Sequence, residues 1–174
     1  MNPRFQNVDE FCRDMDRLAV EFGQDLRVPL RECAEIIHND LGTNFREAIS
    51  PDGEAWPQRR DQGFTHPLLD LSGSLKDAAT GEGAGSITRI ENTTLCVGVD
   101  AANEQGGLPG AFVHQFGATI VPVNAKMLSW LNSSNERVFA KSVTIPPRPF
   151  MGFSIDCQER CEEEIGKYAE ATLA

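Results

Sequence analysis

Three histidines, five cysteines and one arginine set between prolines are the side chains of this 174-residue chain from which chemistry could be assembled. A nucleophilic or metal-dependent reaction would draw on His38, His66 or His114 together with a thiol from Cys12, Cys33, Cys96, Cys157 or Cys161. Imidazole exchanges protons near neutrality, and a thiolate attacks or ligates. Cys157 and Cys161 stand four apart, which puts both on one helix face and makes them the candidate metal pair. No second ligand pair of suitable spacing accompanies them, so the expectation is free thiols packed as small hydrophobes, with no metal and no cofactor. His38 follows Ile36-Ile37 and reads as a hydrogen-bonded boundary residue, and His66 precedes Pro67 in a polar stretch. His114 lies between Phe112 and Phe116 without a cysteine, serine or carboxylate at nucleophile-base spacing, which favours a structural or interface role over catalysis. The glycines of Thr80-Gly81-Glu82-Gly83-Ala84-Gly85-Ser86 lack the lysine and hydroxyl residue that complete a phosphate-binding loop, so they read as a turn.

Arg148 is different. In Ile145-Pro146-Pro147-Arg148-Pro149-Phe150-Met151-Gly152-Phe153, three prolines remove backbone donors and hold the chain extended around one guanidinium. Such a rigid connector can aim an arginine at a partner's carboxylate with little loss of entropy, or pin itself to Asp70 or Asp156 within the chain. Phe150 and Phe153 are expected to bury on one side and fix Arg148 on the other.

Three further segments accompany the connector: Ser50-Pro51-Asp52-Gly53-Glu54-Ala55-Trp56, Leu68-Leu69-Asp70-Leu71-Ser72-Gly73-Ser74-Leu75-Lys76-Asp77 and Val113-His114-Gln115-Phe116-Gly117. In this order and at these separations, over roughly residues 40 to 156, the chain resembles the phage virion morphogenesis family, the tail-completion proteins of tailed phages and prophages. The family's usual tyrosine-alanine ahead of the histidine is replaced here by Ala111-Phe112-Val113. The resemblance implies a structural assembly protein without enzymatic activity, a tail-completion or neck subunit that caps or joins the tail. A head-closure or minor capsid role is the alternative within that class, and a metal- or thiol-dependent enzyme using His114 with Cys96 or the Cys157/Cys161 pair is the alternative outside it. The resemblance also implies other tail or neck proteins as partners and a homo-oligomeric ring, with a hexamer as the expected size. Interface candidates are Arg148, Phe150, His114, Gln115, Phe116 and Trp56. Trp56, in a loop, either plugs a core edge or anchors an interface.

Composition limits the rest. A hydrophobic content of 40% and a charged content of 24% suit a globular domain large enough to need no disulfides. No apolar run reaches a membrane span, and the first residues lack a signal peptide's apolar stretch. The expected location is therefore the host cytoplasm during assembly, then the virion tail or neck. The net charge of -10 is distributed as -4 over residues 1–50, -2 over 51–154 and -4 over 155–174. No segment offers the basic patch that tight nucleic-acid binding requires.

The elements that must position these residues follow from periodicity. Apolar residues recur every three or four positions from Phe11 through Leu26, Leu30, Cys33, Ile37, Leu41 and Phe45 to Ile49, which predicts amphipathic helix, either broken or kinked near Pro29. Ser50-Pro51-Asp52-Gly53 stops it. Residues 50–94 read as loop-rich, with a short helix or strand between Leu68 and Ala79. Leu95, Val97 and Val99 alternate as a half-buried strand, and Ala101 to Gly110 has the composition of a mobile connection. A strand over 119–123 and a hairpin of 126–131 with 136–145 make 95–145 mainly β. After the connector at 146–153, Ser154 or Asp156 caps a helix over 154–174 that buries Cys161, Ile165, Tyr168 or Ala169, and Thr172. The fold class is α+β in one domain over 1–174: N-terminal amphipathic helices, a central antiparallel β-sheet and a C-terminal helix.

Overall fold

A computed structural model describes residues 25–101 and 109–173. The expected first helical segment around Phe11–Phe22, Cys12 and most of the Ala101–Gly110 loop lie outside the described residues.

Helix α1 runs Arg27–Glu47. Pro29 sits in its first turn, where the missing amide would have had no intrahelical acceptor, so the ring starts the helix instead of kinking it. The predicted stripe is real: Leu30, Cys33, Ile37, Leu41 and Phe45 are all buried. The helix ends at Ala48, in the left-handed conformation with φ 54°, where the Ile49 amide closes on the Asn44 carbonyl at 3.0 Å.

The chain then continues through α2 (Ser74–Ala79), β1 (Ser86–Ile90), β2 (Leu95–Val99), α3 (Pro109–Phe116), β3 (Ala118–Ile120), β4 (Leu128–Leu131), β5 (Arg137–Ala140), β6 (Val143–Ile145) and α4 (Ile155–Leu173). The α+β class holds, but the β-structure forms three two-stranded antiparallel ladders, β1–β2, β3–β6 and β4–β5, instead of one central sheet. Two elements depart from the sequence reading. β1 pairs Ser86 with Val99 and Ile90 with Leu95, so a strand occupies part of the stretch read as loop. α3 occupies the stretch around His114, with Pro109 at its first position, where proline is favoured.

Two cores share α1. In the first, Leu26, Leu30, Cys33, Ile37 and Leu41 pack against Cys157, Cys161 and Ile165 of α4, flanked by Ile90, Leu95 and Val97 of the β1–β2 ladder. Ser154 is the cap of α4: its Oγ accepts the Cys157 amide at 3.0 Å and donates to Asp40 Oδ1 of α1 at 2.8 Å. Phe45 leads the second core, with Trp56, Leu68, Ala79, Ala111 and Phe150.

Residues 118–145 form an arm. β3 and β6 pair at its base, Ala118 opposite Ile145, and the β4–β5 hairpin continues outward between them. Its tip turns at Asn132–Asn135 as the polar residues predict: Asn135 has φ 61°, and Asn132 Oδ1 accepts the amides of Ser134 and Glu136.

Candidate functional site

The four sequence segments converge on one place. Ser50 makes the first reversal, its Oγ accepting the amides of Asp52 and Glu54, both at 3.2 Å, while Gly53 takes φ 78°. This turn carries Trp56 back onto Phe45, edge to face with ring centroids 5.6 Å apart, and Phe150 closes the group at 5.5 Å from Phe45. Trp56 Nε1 donates to the Pro149 carbonyl at 2.8 Å, which joins the first segment to the proline connector.

Gln115 of α3 secures the connector from the other side. Its Oε1 accepts the amides of Phe150 and Met151, each at 3.0 Å, and its Nε2 donates to the Met151 carbonyl at 2.9 Å. One side chain thus satisfies three main-chain groups that the prolines leave without a strand partner. The Arg148 amide donates to the His114 carbonyl at 2.7 Å. Gly117, with φ 74°, follows at once; a Cβ there would stand 2.9 Å from Pro147. The glycine after the histidine is needed because the connector passes too close for any side chain.

Arg148 does not project outward. Its side chain is buried, Nε donates to the Pro57 carbonyl at 2.8 Å, and no carboxylate among the described residues pairs with it. The expected ion pair with Asp70 or Asp156 is therefore absent: Asp70 meets Lys76 at 3.4 Å, and Asp156 lies within 3.7 Å of Arg160. The prolines fix the backbone, but a carbonyl ninety-one positions away sets the direction of the side chain. Phe153, expected to bury with Phe150, is exposed because α4 begins immediately beyond it.

Arg148 faces a cleft of about 390 Å³. Leu68, Leu69, Leu71 and Leu75 form one wall and Ala111 of α3 lies opposite, with Arg59, His66, Asp70 and His114 also on the lining. Leu69 and Gly73 adopt left-handed conformations, φ 59° and 80°, so the Leu68–Leu75 segment wraps the cleft instead of continuing as strand. Arg59 donates to the His66 carbonyl at 2.8 Å and to the Pro67 carbonyl, and stacks over Phe64. Burial, and after it the charge of Arg59, lowers the Arg148 pKa below its ordinary value. Burial, and after it the charge of Arg148, likewise holds His114 below the ordinary imidazole value, and its Nδ1 is buried without a hydrogen-bond partner among the described residues.

Of the six interface candidates, Arg148, Phe150, His114, Gln115 and Trp56 meet in this knot and the adjoining cleft. Phe116 turns away with Phe112; the two rings lie 4.7 Å apart on the open face of α3, 64% and 63% exposed. Arg59 joins the cleft although nothing in its sequence neighbourhood marks it beyond its charge.

The described thiols and His38 do not join this site. His38 Nε2 pairs with Thr88 Oγ1 at 3.1 Å, linking α1 to β1. Cys33 and Cys161 exchange thiol-to-carbonyl hydrogen bonds at 3.8 and 3.9 Å in the first core. A hydrogen bond with Cys161, together with burial, pushes the Cys157 thiol up, which disfavours a thiolate there. Cys96 is exposed on β2. Among the described residues no group of three or more potential ligands gathers at metal-binding distance, and no helix is long and apolar enough to cross a membrane.

With three of the segments hydrogen-bonded in one knot and Leu68 of the fourth packed into its core, the family comparison gains physical content. The phage virion morphogenesis family matches residues 6–170. This chain belongs to that family. The match extends beyond the four segments at both ends and takes in most of α4, so nearly all of the helical frame falls within the family's pattern. Comparison with curated proteins and with solved structures gave no match. Family membership supports a role in virion assembly alongside other virion proteins.

Proposed function

We propose that the protein is a non-enzymatic structural subunit that completes the tail or forms the neck of a tailed phage or prophage particle, working as a homo-oligomeric ring. The observation that carries this reading is apolar surface left uncovered in the subunit. Phe112 and Phe116 stand side by side on α3, and the arm that follows exposes Ile120, Val121 and Val123, with Leu131 and Phe139 on one face of the β4–β5 ladder and Trp130 on the other. Large apolar side chains grouped at the surface mark protein interfaces. The ladders of the arm also keep unpaired strand edges, to which a neighbouring copy can add a strand. Assembly would take place in the host cytoplasm, and the finished ring would reside at the tail or neck.

The test is complementation. Particles made without the protein are expected to be filled heads and separate tails that purified protein joins, and a Phe112→Ser, Phe116→Ser double variant is expected to fold but not to restore joining. Full restoration by that variant removes α3 from the interface. Heads that lose their DNA while the tails remain able to join would assign the protein to head closure instead.

A further inference from the structure

We propose that the cleft between α3 and the Leu68–Leu75 segment is a receptor for one acidic side chain, Asp or Glu, carried on an apolar segment of a partner virion protein. The inference rests on the assembly role above and names the chemistry of one contact. Arg148 is 6% exposed, yet only its Nε has an acceptor; its two terminal nitrogens have no hydrogen-bond partner among the described residues. The two free nitrogens face the cleft with no counter-charge beside them, so a carboxylate entering it would form a charge-assisted pair on a side chain that the fold already holds in place.

Arg59 adds a second positive charge to the same lining, and its hydrogen bonds go to carbonyls and an imidazole, so its charge is also uncompensated. Asp70, the one acid among the described residues of the lining, is engaged by Lys76. Two cations thus face one cavity in a chain whose net charge is -10. The depressed pKa of Arg148, to which Arg59 contributes, reports the same imbalance. A planar guanidinium presents parallel N–H donors that match the two oxygens of a carboxylate.

The walls decide the rest of the ligand. Leu68, Leu69, Leu75 and Ala111 are apolar, and Leu71 is 78% exposed at the rim, so residues beside the acid meet aliphatic surface. The overall negative charge opposes a polyphosphate chain, which favours a polypeptide over nucleic acid. A cavity of about 390 Å³ is large enough for one side chain with its immediate neighbours.

The test uses the purified full-length protein and two blocked peptides, acetyl-Leu-Glu-Leu-amide and its neutral twin acetyl-Leu-Gln-Leu-amide, followed by nitrogen-proton NMR that includes the arginine Nε–H signals. Saturable shifts at Arg148, Arg59 and Ala111 are expected with the glutamate peptide, with binding at least tenfold weaker for the glutamine twin. Because Arg148→Gln removes the bond to Pro57 and Arg59→Gln those to the His66 and Pro67 carbonyls, Leu71→Asp at the exposed rim is the second variant: it should keep the native spectrum and weaken the glutamate peptide at least tenfold by charge repulsion. Equal binding of both peptides overturns the proposal, as does equal competition by inorganic phosphate. Cleft signals that move with protein concentration alone, without peptide, would mean that a second copy fills the cleft, and would overturn it too. Neither peptide result depends on particle joining, so the assembly role stands or falls separately.

Discussion

The knot around Phe150 and the arm at residues 118–145 solve opposite problems with neighbouring stretches of chain. In the knot, nearly every apolar and main-chain group has a partner: Phe150, Trp56 and Phe45 stack, and Gln115, Trp56 and His114 take up the connector's backbone. In the arm, each strand is paired along one edge only, and Trp130, Leu131 and Phe139 remain open to solvent. The segments that make the chain recognisable as a family member are therefore chiefly those that hold it together. The apolar side chains left exposed lie largely between them in sequence.

This contrast is easiest to break at Phe150. Phe150→Ala should destabilise the protein by about 3–5 kcal/mol, because it empties the centre of the second core. Phe139→Ser on the arm should change stability by no more than about 0.5 kcal/mol. Denaturant unfolding of the two variants measures the difference, and similar losses would mean that the arm is part of the core.

Gly117→Ala comes next. The left-handed backbone alone costs an alanine about 1–2 kcal/mol, and the new methyl would also stand 2.9 Å from Pro147 and 3.0 Å from the Ile145 carbonyl. A total loss of about 2–4 kcal/mol is expected. A variant of unchanged thermal midpoint would show that the connector can retreat from α3.

The smallest effect is a pH dependence. His114 is held below the ordinary imidazole value of 6.5, first by burial and then by Arg148. The unfolded chain therefore takes the proton more readily than the folded protein does, so the penalty is absent well above pH 6.5 and grows as pH falls through it. His114→Asn should flatten this acid-side loss without altering the profile on the alkaline side. Denaturant midpoints between about pH 7.5 and about pH 5 test it, and identical slopes would mean that His114 does not titrate differently on folding.

Much of this frame was legible because one-dimensional patterns report local geometry. The apolar period of α1, the alternation of β2 and the Asn-rich turn of the arm each describe neighbours within one element. β1 and α3 were hidden by glycine and proline. Gly83 and Gly85 make the approach to β1 look like loop, and Gly107-Leu108-Pro109-Gly110 masks a proline placed at a helix start. The site was legible in its members but not in its direction. Nothing beside Arg148 states that Pro57 will accept its Nε–H, and nothing beside Gln115 states that it will serve three main-chain groups. Such contacts join residues about ninety and thirty-five positions apart, and the fold alone brings them together.

The arm leaves the molecule at Ala118 and returns at Ile145, directly opposite in the same ladder. A chain excursion whose two ends are already paired can be lengthened, shortened or exchanged without moving either end, since the core meets the same two strands in every case. Its tip is joined to the rest by Asp61, which accepts from the Ser133 amide and hydroxyl. The molecule is thus divided into a core whose contacts join distant segments and an excursion closed at its own base, so a change in the arm's length would be absorbed between Ala118 and Ile145 and, at the tip, by the tie to Asp61.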